Sequence, residues 1–385
     1  MKNKGNLLVS FYVPSLAGGG GEKFTLNLIR GFIESGIEVE LIVNDYSGPL
    51  LELCPSDLKV LSFGTRQFMP SVVKLSNYLK SRKPYALISS LNHSNTISVA
   101  AKILAFTTKT KLILVVHTNI SLASKYAASL KSKFMSLFMF FTYWAANFVV
   151  CVSKGVGEDV SRRIPYMKKR VKVIYNPVLT EDLAAKAKEA TNHPWFLQGA
   201  PPVIIAIGRL RKEKDFATLM RAFVRVREEI DARLVILGEG EERRNLEKLA
   251  ERLNISDCLW MPGFEANPYK YLKRAAVFVL SSLYEGLPMV IIEALYFGVK
   301  VVSTDCKYGP REILKDGRLG KLVPVGDYIS MSAAIKEALK NGESPPVTEV
   351  DLRKYTIEYC TEEYLRIVFA DLEVLSTRGG KGESH

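Results

Sequence analysis

Two acids, Glu285 and Glu293, stand eight positions apart in SLYEGLPMVIIEAL, residues 282–295, with no other charge between them. Carboxylates so placed can serve one ligand, by accepting hydrogen bonds from its hydroxyls or by stabilising positive charge that develops on it. The same pair also reads as one acid favouring a helix N-terminus and one exposed helix acid, and spacing alone does not decide. A second group is GRLRKEKDF, residues 208–216, with Arg209 and Lys214 on either side of a helix entry. Two cations beside helix N–H groups suit a diphosphate without a metal; the plain alternative is a solvated basic turn. His117 closes the apolar run LILVVH, and His93 follows YALISS. Each is either an ionisable group at a strand's carboxyl edge or a satisfied core histidine.

A further candidate is SLAGGGGEK, where Gly18, Gly19, Gly20 and Gly21 lie between an apolar run and a helical one. Glycines there let backbone approach a ligand, and a helix N-terminus offers unpaired N–H groups to an anion. It is neither a dinucleotide fingerprint nor a P-loop: the third glycine of GxGxxG would fall on Lys23 or Phe24, and no GK[ST] follows. No DxD, HExxH, GxSxG or Cys/His cluster with ligand spacing occurs, so no metal site is expected.

The elements that must position these groups follow from periodicity. Apolar runs at 7–13 and 39–43 flank a helical stretch in which Phe24, Leu28 and Phe32 recur at helix spacing. Strand, helix, strand within about forty residues is a βαβ unit, hence a parallel sheet. Further strands are predicted at 85–89, 112–117, 148–152 and 171–175. After a softer stretch at 176–202, which reads as a linker, a second series begins with VIIAIG, residues 203–208, and continues through RLVILGEG, AVFVLSS and KVVSTD. The expectation is an α/β protein of two doubly wound domains, 1–176 and 177–351. Such sheets bind ligands at the carboxyl ends of their strands. A last helical stretch spans about 352–375.

Charge is divided unevenly. Residues 1–180 carry 23 Lys and Arg against 9 Asp and Glu, while residues 181–385 carry 30 against 31. A basic first half suggests an anionic partner: nucleic acid, an anionic membrane surface or a phosphorylated substrate. No RRM, KH or helix-turn-helix pattern appears, and stacking aromatics are not interleaved with the basic residues, so nucleic acid is not expected. In SLASKYAASLKSKFMSLFMFFTYW, residues 121–144, Lys125, Lys131 and Lys133 lie beside a strongly apolar face that suits docking on an anionic leaflet. The uncharged run 134–153 has the length of a membrane span, but its period changes, and a helix followed by a buried strand is expected. Five scattered cysteines without a CxxC pair read as reduced and cytoplasmic. No signal peptide is read at the start.

In order, GGGGEK, GRLRKEKDF, SSLYEGLPMVIIEAL and CKYGPREIL resemble the motifs of retaining GT-B glycosyltransferases of family 4, over residues 7–340 or so. The resemblance implies two Rossmann-like domains facing a central cleft, the first binding the acceptor and the second a nucleotide-sugar donor. The final helix, about 352–385, would cross back onto the first domain. Arg209 and Lys214 match the family's basic pair on the donor diphosphate, so the reaction would need no metal or cofactor. Glu285 and Glu293 match the two glutamates of the EX7E motif, Glu285 near the donor sugar and Glu293 on the ribose. Gly286, Leu287, Pro288 and Met289 would hold sugar hydroxyls along their backbone. Gly19 and Gly20 would approach the diphosphate or the acceptor, His117 would contact the donor sugar, and Phe264 would lie near the base. A hexose or N-acetylhexosamine from a UDP-sugar, GalNAc or GlcNAc in particular, would pass with retention to a polyprenyl-diphosphate-linked or other glycan acceptor. The enzyme would be cytoplasmic and peripheral on the inner face of the cell membrane. A GDP-mannose-dependent mannosyltransferase, a nucleotide-sugar epimerase, a basic nucleic-acid-binding protein and a catalytically dead binding subunit stay as alternatives.

Overall fold

The computed structural model describes residues 7–106, 108–117, 143–191, 193–340 and 346–372. The chain divides into two compact units, Met1–Pro177 with Lys354–His385, and Val178–Arg353.

In the first unit, seven strands form one parallel sheet: β1 Val9–Val13, β2 Val39–Val43, β3 Lys59–Ser62, β4 Ala86–Ser90, β5 Lys111–Val116, β6 Phe148–Cys151 and β7 Val171–Val173. Their order is β3-β2-β1-β4-β5-β6-β7. Helices α1 Gly20–Glu34, α2 Phe68–Arg82, α3 Asn92–Leu104 and α4 Lys154–Arg163 connect them. Every residue of β1, β2 and β4 is buried, as a parallel sheet covered on both faces requires. Toward the amino ends of the strands lies a buried carboxylate, Glu40. It accepts from Lys59 Nζ at 2.7 Å, from Tyr78 Oη at 2.5 Å and from Arg82; burial pushes its carboxyl up, but these bonds together hold it below its ordinary value.

The second unit holds a six-stranded parallel sheet in the order β10-β9-β8-β11-β12-β13. The strands are β8 Val203–Ile207, β9 Arg233–Leu237, β10 Leu259–Gly263, β11 Val277–Leu280, β12 Lys300–Thr304 and β13 Lys321–Val323. Its helices are α5 Leu183–Lys188, α6 Phe216–Arg227, α7 Arg243–Arg252, α8 Tyr269–Leu272, α9 Met289–Tyr296, α10 Pro310–Ile313, α11 Tyr328–Lys340 and α12 Glu349–Leu352. The core gathers Leu219, Met220 and Phe223 of α6 and Met331 and Ile335 of α11 against Ile204, Leu234 and Val302 of the sheet.

The stretch read as a linker is structured. Leu183 and Ala187 of α5 are buried against Tyr269, and His193 stacks on Trp260 of the edge strand β10 with ring centroids 3.9 Å apart. The apolar spacing of Leu183 and Ala187 on one helix face outweighs the loop-like composition around them. The last helix, α13 Ile357–Val368, starts later than the expected 352, where Thr356 caps it by accepting from Tyr359 N at 3.3 Å. It packs on α1 in the first unit so closely that a Cβ on Gly31 would lie 2.0 Å from Thr361 Oγ1. Of 121–144 and 134–153, residues 121–142 lie outside the described residues; the strand expected at 148–152 is β6. Among the described residues no helix is long and apolar enough to cross a membrane.

Candidate functional site

Both sheets reverse their strand order beside a central strand, at β1/β4 in the first unit and at β8/β11 in the second. A doubly wound sheet opens a ligand-binding crevice at the carboxyl ends of such strands. In the second unit, β8 delivers Gly208 and Arg209 to that edge, and the amide of Leu210 donates to Glu239 O at 2.9 Å. A single helical turn, Lys212–Lys214, follows. Asp215 then caps α6 from a left-handed backbone, φ 45°, accepting from Thr218 Oγ1 at 2.7 Å.

β11 delivers Ser281 and Ser282 to the same edge. Ser281 Oγ donates to the carbonyl of Lys214 at 2.7 Å, and the amide of Leu283 donates to Glu213 O at 2.8 Å. These bonds tie the two loops together and set the pair the sequence singled out. Lys214 Nζ donates to Glu285 Oε1 at 2.5 Å, and Ser282 Oγ donates to the same oxygen at 2.7 Å. The side chains of Lys214 and Glu285 are 23% and 12% exposed, so water screens the pair only in part. A charge-assisted bond of this kind is worth about 1.5–3 kcal/mol. Cys306 is buried beside it, and burial, with the charge of Glu285 next, pushes its thiol up to about 12. It remains a neutral thiol at physiological pH.

Glu293, in the second turn of α9, is 3% exposed and accepts from Tyr269 Oη at 3.1 Å. It is therefore not the exposed helix acid that spacing left open. Glu285 departs from the other open reading: its partners are Lys214 and Ser282. Gly286, Leu287 and Pro288 are buried in the turn entering α9, whose first residue is Met289. Phe264 follows Gly263 at the end of β10 and is 48% exposed. Near it Arg243 Nε, at the start of α7, donates to both oxygens of Glu239 in the preceding loop, at 2.8 and 2.7 Å, a pairing that left no helix-spacing signal in the sequence.

In the first unit, His117 directly follows β5. Its Nε2 and Ser90 Oγ share a hydrogen bond of 2.7 Å, and the Phe24 ring meets the imidazole edge-on at 4.8 Å. Burial pulls the imidazole down to about 4, so it is neutral at physiological pH. Leu91, between β4 and α3, has φ 78°, a conformation that costs a non-glycine residue about 1–3 kcal/mol and that clusters at functional sites. Gly19 is the residue before α1, and Gly20 opens the helix. His93 stands in the first turn of α3, its ring 6.3 Å from that of Phe68. Ser90 and Ser282, which hold His117 and Glu285, left no sequence signal beyond proximity to strand ends, and Tyr269 of α8, which holds Glu293, left none. Among the described residues no group of three or more His, Cys, Asp or Glu could hold a metal ion.

Two family models cover most of the chain. Glycosyltransferase Family 4 matches residues 18–182, and Glycosyl transferases group 1 matches residues 188–360. One relative is the N-acetylgalactosamine-N,N'-diacetylbacillosaminyl-diphospho-undecaprenol 4-alpha-N-acetylgalactosaminyltransferase of Campylobacter jejuni. It is 31% identical over 346 residues, spanning 86% of this chain and 90% of the relative.

The chain belongs to the family 4 glycosyltransferases.

A second Campylobacter jejuni glycosyltransferase, which adds alpha-1,4-N-acetyl-D-galactosamine to GalNAc-alpha-(1->4)-GalNAc-alpha-(1->3)-diNAcBac-PP-undecaprenol, is 26% identical over 94% of this chain and 98% of its own. Among solved structures, Anabaena HepE in complex with UDP-glucose superimposes with a TM-score of 0.73 over 97% of this chain and 100% of its own, at 16% identity. This glycosyltransferase thus has the GT-B fold, and its two Rossmann-like units are the two sheets described above.

Proposed function

We propose that this glycosyltransferase moves a hexose or N-acetylhexosamine from a UDP-sugar to a lipid-linked or other glycan acceptor, with retention at the anomeric carbon. The observation that carries the reading is the Lys214–Glu285 pair at the carboxyl edge of the second sheet, with a buried Glu293 in the second turn of the adjoining helix. The names of the two Campylobacter relatives, both GalNAc transferases acting on undecaprenyl-diphosphate-linked substrates, and the UDP-glucose bound to HepE support the donor and acceptor classes.

In this reading the second unit binds the donor. Arg209 and Lys214 hold the diphosphate and stabilise the charge gained when the bond from C1 to the phosphate oxygen breaks, the role a metal fills elsewhere. Glu293 accepts from the ribose hydroxyls, the backbone amides of Gly286, Leu287 and Met289 hold sugar hydroxyls, and Phe264 lies against the base. Glu285, already bonded to Lys214, orients the sugar and stabilises its oxocarbenium character. The acceptor hydroxyl forms the new bond to C1 from the face the leaving group departs, and its proton passes to the departing phosphate oxygen. His117 serves as a neutral hydrogen-bonding group on the first unit, which takes the acceptor, with Gly19 and Gly20 at its helix N-terminus.

We further assign docking on an anionic inner-face leaflet to the basic first unit. Support comes from Trp144, 59% exposed, whose carbonyl accepts from Arg170 Nη1 at 3.4 Å, and from Tyr166, 48% exposed, whose side chain bonds the Trp144 backbone. Binding to anionic vesicles at low salt is the expected outcome of co-sedimentation, and its absence rejects this assignment. The main test is product analysis with a panel of nucleotide sugars and a polyprenyl-diphosphate-linked acceptor. Transfer from a UDP-hexose or UDP-N-acetylhexosamine with an α-linkage is expected. Turnover of GDP-mannose alone overturns the donor class, and acceptor-independent release of an altered sugar nucleotide overturns transfer itself.

A further inference from the structure

The loop that carries Glu285 is braced by a neighbour with no role in the reaction so far. β12 runs beside β11, and Thr304 Oγ1 at its end donates to the carbonyl of Ser282 at 2.7 Å. Beyond both strands the parallel pairing reappears as a bridge between Tyr284 and Lys307. Two consecutive residues then take left-handed backbone, Tyr308 with φ 68° and Gly309 with φ 89°. This bend presses Gly309 against the turn entering α9: a Cβ there would lie 2.5 Å from Pro288 Cδ and 3.0 Å from the carbonyl of Gly286. Only glycine fits both the φ and the approach. Arg311 closes the segment from outside, its Nε donating to Asp305 Oδ1 at 3.1 Å and its Nη1 to Asp316 Oδ1 at 3.4 Å.

A tyrosine with positive φ persists only where surrounding contacts over-determine it. Here those contacts converge on one side of the loop that holds Glu285, while Lys214 and Ser282 hold the other. We propose that residues 304–309 are the positioning element of the donor loop, and that Gly309 is a positioning residue, fixing the Gly286 and Pro288 backbone relative to the Glu285 carboxylate. The inference rests on the transferase reading for its kinetic consequence but not for its structural one. The element acts on the part of the loop assigned to the sugar, not on the residues assigned to the nucleotide. Its loss is therefore read in turnover before affinity.

The test compares the full-length protein with Gly309→Ala and with the milder Arg311→Ala, which opens the outer tie of an exposed side chain. Expected for Gly309→Ala is at least a tenfold fall in kcat, with UDP affinity by calorimetry within twofold of the parent. Backbone amides of residues 282–289 should exchange at least fivefold faster by mass spectrometry, without faster exchange across the sheet. Arg311→Ala should move kcat and exchange the same way by a smaller factor. Unchanged exchange at 282–289 in both variants overturns the inference, whether or not transfer is observed. Faster exchange with parental kcat overturns it too, as does an equal loss of UDP affinity and kcat. A parent protein that turns over no nucleotide sugar rejects the transferase reading instead, and the exchange comparison still decides the brace.

Discussion

At the carboxyl edge of the second sheet an ammonium, a carboxylate and a hydroxyl meet within 2.7 Å at Glu285; at that of the first sheet, His117 is a neutral imidazole between a hydroxyl and a phenyl ring. Yet the first unit carries the chain's basic excess. Part of the difference lies in where several of its described cations are tied. Lys59 and Arg82 serve Glu40, Lys102 donates to the carbonyl of Thr110 at 2.5 Å, Lys111 to that of Val368 at 2.6 Å, and Arg170 to that of Ala146 at 3.2 Å. Those groups hold loops and strand starts at the amino ends of the strands. Net charge and site charge are thus separate properties of this protein, and a count of lysines and arginines reports only the first.

The sharpest way to break the comparison is to remove the charge at the second edge. Lys214→Ala or Glu293→Ala is expected to lower kcat/KM by about 10²–10³, with the circular dichroism spectrum unchanged; near-normal turnover in either would remove the second edge's claim to the chemistry. At the first edge, where a neutral hydrogen bond is at stake, His117→Ala should cost about 10–100-fold in turnover and leave UDP affinity within twofold. Loss of UDP affinity in that variant would mean that the two edges do not divide the work.

Acid sharpens the contrast further. The fold favours neutral His117, at about 4 against an ordinary 6.5, so the unfolded chain binds more protons in between. The stability involved is fully present above pH 6.5 and is lost as pH falls through 4, up to about 3 kcal/mol. Urea unfolding at pH 7 and pH 4.5 should show a larger acid loss for the parent than for His117→Gln; equal losses would show that the imidazole is not held neutral. Gly31→Ala, which places a methyl within 2.0 Å of Thr361 Oγ1, should cost about 1–3 kcal/mol by thermal or urea melting and spare UDP binding by the second unit. Parental stability would mean that α13 gives way easily. The smallest effect is expected from EDTA: under twofold in rate, since the leaving-group charge is assigned to Arg209 and Lys214. Loss of activity restored by a divalent cation would reverse that assignment.

Periodicity carried the alternation of strand and helix, because a strand buried on both faces cannot avoid a continuous apolar run. Strand ends moved by one or two residues; Val116, not His117, ends β5. The stretch 176–202 looked like a linker because its prolines and charges surround a helix of six residues, too short for a periodic signal. Lys214 and Glu285 were both named from sequence, but their bond was not legible, since it spans 71 positions and depends on two loops meeting. Spacing could not show that Glu293 is buried, because its partner Tyr269 belongs to another element. Positive φ at Leu91 and Tyr308 left no trace either, as neither residue type announces a left-handed turn.

The contact between Gly31 and Thr361 also bears on biosynthesis. The helix that covers α1 is encoded after the whole of Val178–Arg353, so a ribosome must make the second unit before the first can close. At roughly 5–20 residues per second, that interval lasts on the order of 10–35 s. Throughout it the face of α1 around Gly31 lacks its cover, and only at its end does the second unit have all of its residues. The first unit is thus begun before the second and completed after it, and released chains truncated before residue 357 should show a protected second unit and a protease-sensitive first.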